Sequence, residues 1–266
     1  MRLSHCLKTE PRLLILFLVF ALLTGCSGWG EEQDLTKDWS AVRLYTAAKE
    51  RLENKDYEQA IDYYEKLESR YPFGPHSQQA QLDVTYAYYK NDEPASAIAA
   101  ADRFIKLHPR HPNVDYAYYI KGLANYVKTG GFVSRIVSKD YSKRDTGAAV
   151  EAFRDFNELT RRFPNSKYAQ DAAQRMLYLK NTLAMHEVHV ANYYLGRGAY
   201  VAAANRARYV VENYQRTPAM PDALVILAKS YKVMQLPELS EDAVRVLELN
   251  YPGHPGIQEV AELDVD

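Results

Sequence analysis

The segment "ERLENKDYEQAIDYYEKLESRYP" (50–72) has a counterpart in "AYYKNDEPASAIAAADRFIKLHP" (87–109). Each holds an alanine followed twelve residues later by a proline, Ala60 to Pro72 and Ala97 to Pro109. The interval recurs from Ala152 to Pro164 and from Ser240 to Pro252, and a fifth copy has Ala203 with Gln215 in the proline place. Four residues after the small residue stand Tyr64, Ala101, Phe156, Ala207 and Val244, and seven after it Leu67, Phe104, Leu159, Val210 and Leu247. Offsets of four and seven fall on one face of a helix. Nine residues before it stand Tyr88, Tyr194 and Tyr231, with Arg51 in the first copy.

Between the two positions lies a turn: "NKD", "KND" and "GRG". Pro94 and Pro237 follow such turns, in the first turn of a helix, where proline forfeits no hydrogen bond. The small residue lets two antiparallel helices approach closely, and the later proline stops the second helix. The unit resembles the tetratricopeptide repeat, a helix–turn–helix of about 34 residues. Five copies predict an all-α superhelical solenoid of ten helices, right-handed and without a sheet, over residues 41–252.

Aromatic or His anchors at Tyr71, His108, Phe163, Tyr214 and Tyr251 end the repeats at intervals of 37, 55, 51 and 37. Repeats three and four therefore carry 18 and 14 residues more than their neighbours. In repeat three, Gly130-Gly131 ends the first helix and "FVSRIVSKDYSKRDTG" intervenes before the second, an ordered excursion or a mobile loop. In repeat four, Lys167 to Leu195 holds no Gly or Pro and predicts one helix of 29 residues, roughly 43 Å long. Fourteen extra residues make about four turns, so the packing face returns to the same side.

The N-terminus has a different logic. Arg2, Lys8 and Arg12 precede an unbroken apolar run, Leu13 to Leu23. Eleven residues are too few to span a hydrocarbon core, which needs about 20. The run fits the h-region of a secretory signal, and it ends Leu23-Thr24-Gly25-Cys26, the pattern read by bacterial lipoprotein-processing enzymes. The Cys26 thiolate would attack a diacylglyceryl donor, and cleavage before it would free an amine for a further chain. Residues 1–25 are thus expected to be a signal peptide and 26–40 a lipidated tether, holding the protein to a membrane through acyl chains worth about 0.8 kcal/mol per buried CH₂. Ser27, rather than Asp, after the cysteine points to the outer membrane, facing the periplasm. Residues 253–266 carry four acids and no base, an acidic tail expected to fray.

Removing residues 1–25, with three bases and one acid, leaves 30 basic against 33 acidic side chains. No basic field recruits nucleic acid. Cys6 leaves with the signal and Cys26 is acylated, so no disulfide is expected and apolar burial must hold the fold. No catalytic constellation stands out. In "MHEVHVA", His186 and His189 are three apart, whereas a zincin needs two His at i and i+4. His108 and His111 flank Pro109 at a helix end and read as capping residues. "GRGAY" is a lone Gly-x-Gly at a repeat turn, with Gly198 in the usual glycine place. No phosphate loop and no Gly-x-Ser-x-Gly elbow occur. Neither an enzyme activity nor a cofactor or metal is expected.

Of the 22 tyrosines, Tyr57, Tyr64, Tyr88, Tyr194 and Tyr231 hold packing positions. Tyr45, Tyr86 and Tyr89 fall on the first-helix face that lines the inner groove of such superhelices. With Lys49 they make residues 42–109 the candidate groove for an extended peptide, the lysine suiting a terminal carboxylate. Arg197, between Gly196 and Gly198, falls in the turn closing the long helix. There it serves the helix C-terminus or pairs with an acid of a partner.

Four stretches carry a more specific likeness: "LTGC" (23–26), "RYPFGPHSQQAQLDVTYAYYKNDE" (70–93), the insert ending "SKRD" (145) and "YYLGRGAYVAAANR" (193–206). They resemble the BamD family, lipoproteins of the β-barrel assembly machinery of the outer membrane, over nearly the whole mature chain. The resemblance implies a non-enzymatic scaffold. Its C-terminal repeats would hold the periplasmic domain of the barrel insertase and small accessory lipoproteins, and its N-terminal repeats would engage unfolded outer-membrane proteins. The rival is a lipoprotein adaptor that recruits peptidoglycan enzymes or periplasmic proteases.

Overall fold

The computed structural model describes residues 34–129 and 146–264. The signal segment, Cys26 and the repeat-three insert lie outside the described residues. The chain forms two units, the first ending at Ser40. In the first, Thr36 donates from its backbone N–H and its hydroxyl to Asp34 Oδ1 at 3.0 and 2.7 Å, closing a turn.

The second unit is wholly helical among its described residues: α1 (Ala41–Glu53), α2 (Tyr57–Arg70), α3 (Pro75–Lys90), α4 (Pro94–Leu107), α5 (Val114–Lys128), α6 (Gly147–Arg162), α7 (Ala169–Gly196), α8 (Tyr200–Asn213), α9 (Met220–Val233), α10 (Pro237–Asn250) and α11 (Pro255–Ala261). Each helix packs on the next in sequence, and first helices touch the first helix of the following repeat, α1 on α3 and α3 on α5. This is the stacking of helical hairpins that the repeat predicts. None of the described helices is long and apolar enough to cross a membrane.

The repeat register is visible in the core. The small positions Ala60, Ala97, Ala152 and Ala203 are fully buried and Ser240 nearly so. Leu67, Phe104, Leu159, Val210 and Leu247, seven residues on, are all 0% exposed. The five anchors Tyr71, His108, Phe163, Tyr214 and Tyr251 are the C-cap residues of α2, α4, α6, α8 and α10. Each donates its backbone N–H to the carbonyl of that buried residue, at 2.8–2.9 Å. One local geometry thus closes every repeat, and the proline or Gln215 that follows meets a helix already ended.

The intra-repeat turns share a geometry as well. Five residues before the small position stand Lys55, Asp92, Gly198 and Gln235, with φ of 63, 60, 73 and 57°. Left-handed backbone reverses the chain in each, and only Gly198 adopts it without a Cβ clash. Repeat three has Gly147 at this offset, already inside α6.

The long helix of repeat four runs over 28 residues, Ala169–Gly196. Its buried residues divide between two clusters. Ala172, Leu179 and Leu183 belong to a middle core built from α3 to α7. Ala184, Val188 and Ala191 belong to a C-terminal core that reaches α11. At about 100° per residue the two sets lie on faces of the helix roughly 120° apart, so the packing face does not return to the side expected of it but turns as the helix passes from one core to the other.

All ten expected repeat helices are present, and α11 is an eleventh. Part of the tail expected to fray is therefore helical. Gly256 sits so close to Val225 of α9 that a Cβ there would collide with it, and Val260 is 3% exposed. Lys232 Nζ donates to the carbonyls of Val260 and Ala261 at 2.7 and 3.0 Å, capping the helix end. Gly, Pro and acid in the sequence masked a helix that tertiary contacts hold in place.

Candidate functional site

The N-terminal groove residues come from α1 and α3. Tyr45 is half-buried on α1, and its hydroxyl donates to Asp83 Oδ2 of α3 at 3.0 Å. Its ring lies 5.4 Å from His76 and 6.2 Å from Tyr64. Burial, then the Asp83 charge, pushes the Tyr45 phenol well above its ordinary range. Lys49, one turn on, is half-buried and makes no ion pair among the described residues. Tyr86 and Tyr89 are brought together, ring centroids 6.5 Å apart, and both pack against the middle core.

The aromatic surface extends further than the sequence indicated. Tyr116 on α5 is close enough to Tyr86, Asp83, Tyr119 and Tyr168 to feel their charges, and burial above all raises its phenol. Tyr168 stacks on Tyr119 at 4.6 Å and lies 5.3 Å from Tyr116. Tyr119 donates to Asp171 Oδ2 of α7 at 2.7 Å, its phenol pushed up to about 12 by burial and by that hydrogen bond. Arg175 pairs with Asp171 at 2.6 Å, and its guanidinium lies 4.9 Å from the centre of the Tyr126 ring. First helices of repeats one to four thus contribute a run of tyrosines whose hydroxyls, at Tyr45 and Tyr119, are taken up by carboxylates. A signal was available: "YAYY" occurs at both 86–89 and 116–119. The first copy ends α3 and the second begins α5, so the motif is out of repeat register and periodicity passed over it.

Beneath this face, Asp155 of α6 is 4% exposed and accepts from Asn125 at 2.8 Å and Lys121 at 3.2 Å, while Lys121 also reaches Asp102 of α4 at 2.7 Å. Burial raises the Asp155 carboxyl despite these donors. The network ties α4, α5 and α6 together and faces no groove.

Arg197 stands apart, as the C-cap residue of α7. Its backbone N–H donates to Tyr194 O at 3.1 Å and Gly198 N–H to Leu195 O at 3.0 Å. The side chain is exposed, with its guanidinium 5.2 Å from the Tyr193 ring, itself 59% exposed. No carboxylate among the described residues pairs with it, and nothing lies within 4 Å of a Cβ built on Gly196 or Gly198. The guanidinium is open to a partner.

The histidines are placed otherwise. His186 and His189 lie on α7, and no group of three His, Cys, Asp or Glu stands at metal-binding range among the described residues. His108 bonds Gln81 Oε1 at 2.8 Å, and His111 Nδ1 accepts from the Asn113 N–H at 3.1 Å, just before α5.

The family model for the outer membrane lipoprotein YfiO matches residues 37–247. Outer membrane protein assembly factor BamD of Neisseria meningitidis serogroup B is 46% identical over 240 residues, 89% of this chain and 90% of that one. The chain belongs to the BamD family of outer-membrane lipoproteins. The assembly factor BamD of Vibrio cholerae is 38% identical, covering 88% of this chain and 95% of its own. That of Xylella fastidiosa strain Temecula1 is 36% identical over 92% of this chain and 84% of its own. A thermophilic tetratricopeptide-repeat protein of Thermus thermophilus covers 84% of this chain and 97% of its own, at 13% identity and a TM-score of 0.37, too distant to carry argument. Family membership accounts for the outer-membrane location expected from Ser27, rather than Asp, after Cys26.

Proposed function

We propose that this BamD-family chain is a non-enzymatic scaffold for outer-membrane protein assembly, anchored at the periplasmic face through lipid on Cys26. Relatives at 34–46% identity bear the name of assembly factors. The observation that carries the division of labour is the separation of two unlike surfaces on one solenoid. The tyrosine-lined face of repeats one and two offers rigid aromatic area, with the Tyr45 hydroxyl already bonded to Asp83, suited to an extended stretch of an unfolded barrel protein. Lys49 supplies a charge for a terminal carboxylate. At the repeat-four turn, Arg197 presents a guanidinium without a carboxylate partner of its own, suited to bidentate pairing with an acid of the insertase's periplasmic domain. Accessory lipoproteins would dock on the same C-terminal repeats.

Crosslinking in the membrane from the repeat-four turn, with identification of the captured protein, tests this directly. Capture of the insertase supports it, and capture of a cell-wall enzyme without the insertase favours the adaptor alternative. Arg197→Ala should weaken binding to the insertase's periplasmic domain by about 2–5 kcal/mol if the pair is buried. A loss below about threefold, under 1 kcal/mol, with the fold intact would leave Arg197 as a helix end only.

A further inference from the structure

Asp83 is 8% exposed and accepts three hydrogen bonds, from Gln79 at 2.8 Å, from Tyr45 at 3.0 Å and more weakly from Tyr64 at 3.5 Å. No Lys, Arg or His among the described residues forms an ion pair with it. A buried carboxylate without a cation is costly, and neutral donors offset that only in part. The parallel contact deeper in the solenoid differs. Asp171 also accepts from a groove tyrosine, Tyr119, but there Arg175 neutralises it. A side chain bearing such a charge in a helix core contributes something that a Leu of similar size would not.

What Asp83 fixes is the ring of Tyr45. That ring is flanked by His76 and Tyr64, and the hydroxyl bond fixes where its far end lies. We infer that Asp83 is a positioning residue for peptide recognition, locking Tyr45 into a preset stacking surface before any peptide arrives. The inference rests on the reading of this face as a peptide groove. An unpinned side chain must be immobilised on binding, which corresponds to about three- to tenfold in affinity.

The test uses the full chain and a fluorescent peptide bearing the C-terminal strand of an outer-membrane barrel protein, with affinities for wild type, Asp83→Leu, Tyr45→Phe and the double variant. Asp83→Leu and Tyr45→Phe should each lower affinity by about three- to tenfold, and the double variant by no more than either alone, because both remove the bond between Tyr45 and Asp83. A merely structural carboxylate would instead lower affinity equally in the wild-type and Tyr45→Phe backgrounds, and that result overturns the inference. So does unchanged affinity in Tyr45→Phe, which keeps the ring and fold and loses only the hydroxyl, and which decides the matter even if Asp83→Leu fails to fold. Failure of the wild type to bind the peptide removes the groove reading, and the inference with it.

Discussion

The middle and C-terminal cores are built from the same repeat and filled differently. The middle one buries Phe104, Phe156, Tyr118 and Tyr126, with Tyr86, Tyr89, Tyr116, Tyr119 and Tyr168 packed at its edge. Half of the buried residues in the C-terminal one are alanines, and its single buried aromatic is Tyr231. Large rings fill the middle core and leave tyrosines over at its edge as an aromatic surface. Alanines leave little side chain over in the C-terminal core, and what stands exposed there is the repeat-four turn at Arg197 with Tyr193 and Val201 on the helices beside it. One repeat consensus thus yields a tyrosine-rich face in one part of the chain and an exposed basic turn in another.

The sharpest way to break this contrast is to empty the middle core. Phe156 is fully buried, and its ring faces Gly122 so closely that a Cβ there would stand 2.5 Å away. Phe156→Ala should cost about 3–5 kcal/mol, read from chemical denaturation. Crowding the alanine-lined core should cost less. Ala203→Leu adds volume between α7 and α8 and should lose about 1–3 kcal/mol. An unchanged melting temperature would refute the close approach assigned to that pair. Gly198→Ala, at φ +73°, should lose about 1–2 kcal/mol from backbone strain alone, visible in the same melt. The loss belongs to the backbone because no neighbouring atom obstructs the new methyl.

Acid separates smaller effects. At Asp171 burial raises the carboxyl, but the bonds from Arg175 and Tyr119 and the Arg175 charge outweigh it and hold the group below its ordinary value. Its stabilisation is present above the unfolded carboxylate pKa and is lost as the pH falls through the folded value, so the loss begins near pH 4. Asp155 runs the other way. Its raised carboxyl contributes stability that is full below the unfolded pKa and is lost as pH rises through the folded one. On acidification, wild type should therefore gain stability relative to Asp155→Asn and lose it relative to Asp171→Asn. Parallel pH–stability curves would show that neither group is coupled to folding.

The repeat register was legible because one helix face and one turn recur, so Ala60, Leu67 and Tyr71 announce Ala203, Val210 and Tyr214. Gly198 was readable for the same reason, whereas the left-handed Lys55, Asp92 and Gln235 carry no residue signature for their backbone. The bonds from Tyr45 to Asp83 and from Tyr119 to Asp171 were not legible. They join first helices of successive repeats, and that contact depends on how repeats stack, which no single-helix periodicity contains. Helix α11 was missed because its stability lies in α9 and Lys232 rather than in its own seven residues. Arg197 was found from its glycines, and the Tyr193 ring beneath it was not.

Helix α7 has a mechanical consequence. In a stack where each hairpin touches only its neighbours, unfolding spreads piecemeal. Here one rod of about 42 Å has its first half embedded in one core and its second half in the other. Fraying either core strips half of the rod's packing, so the two should melt as a single cooperative block. Arg197 closes one end of the rod and Tyr168 the other, so the exposed guanidinium and the stacked Tyr119–Tyr168 pair hang on a single unbroken helix with no joint between them.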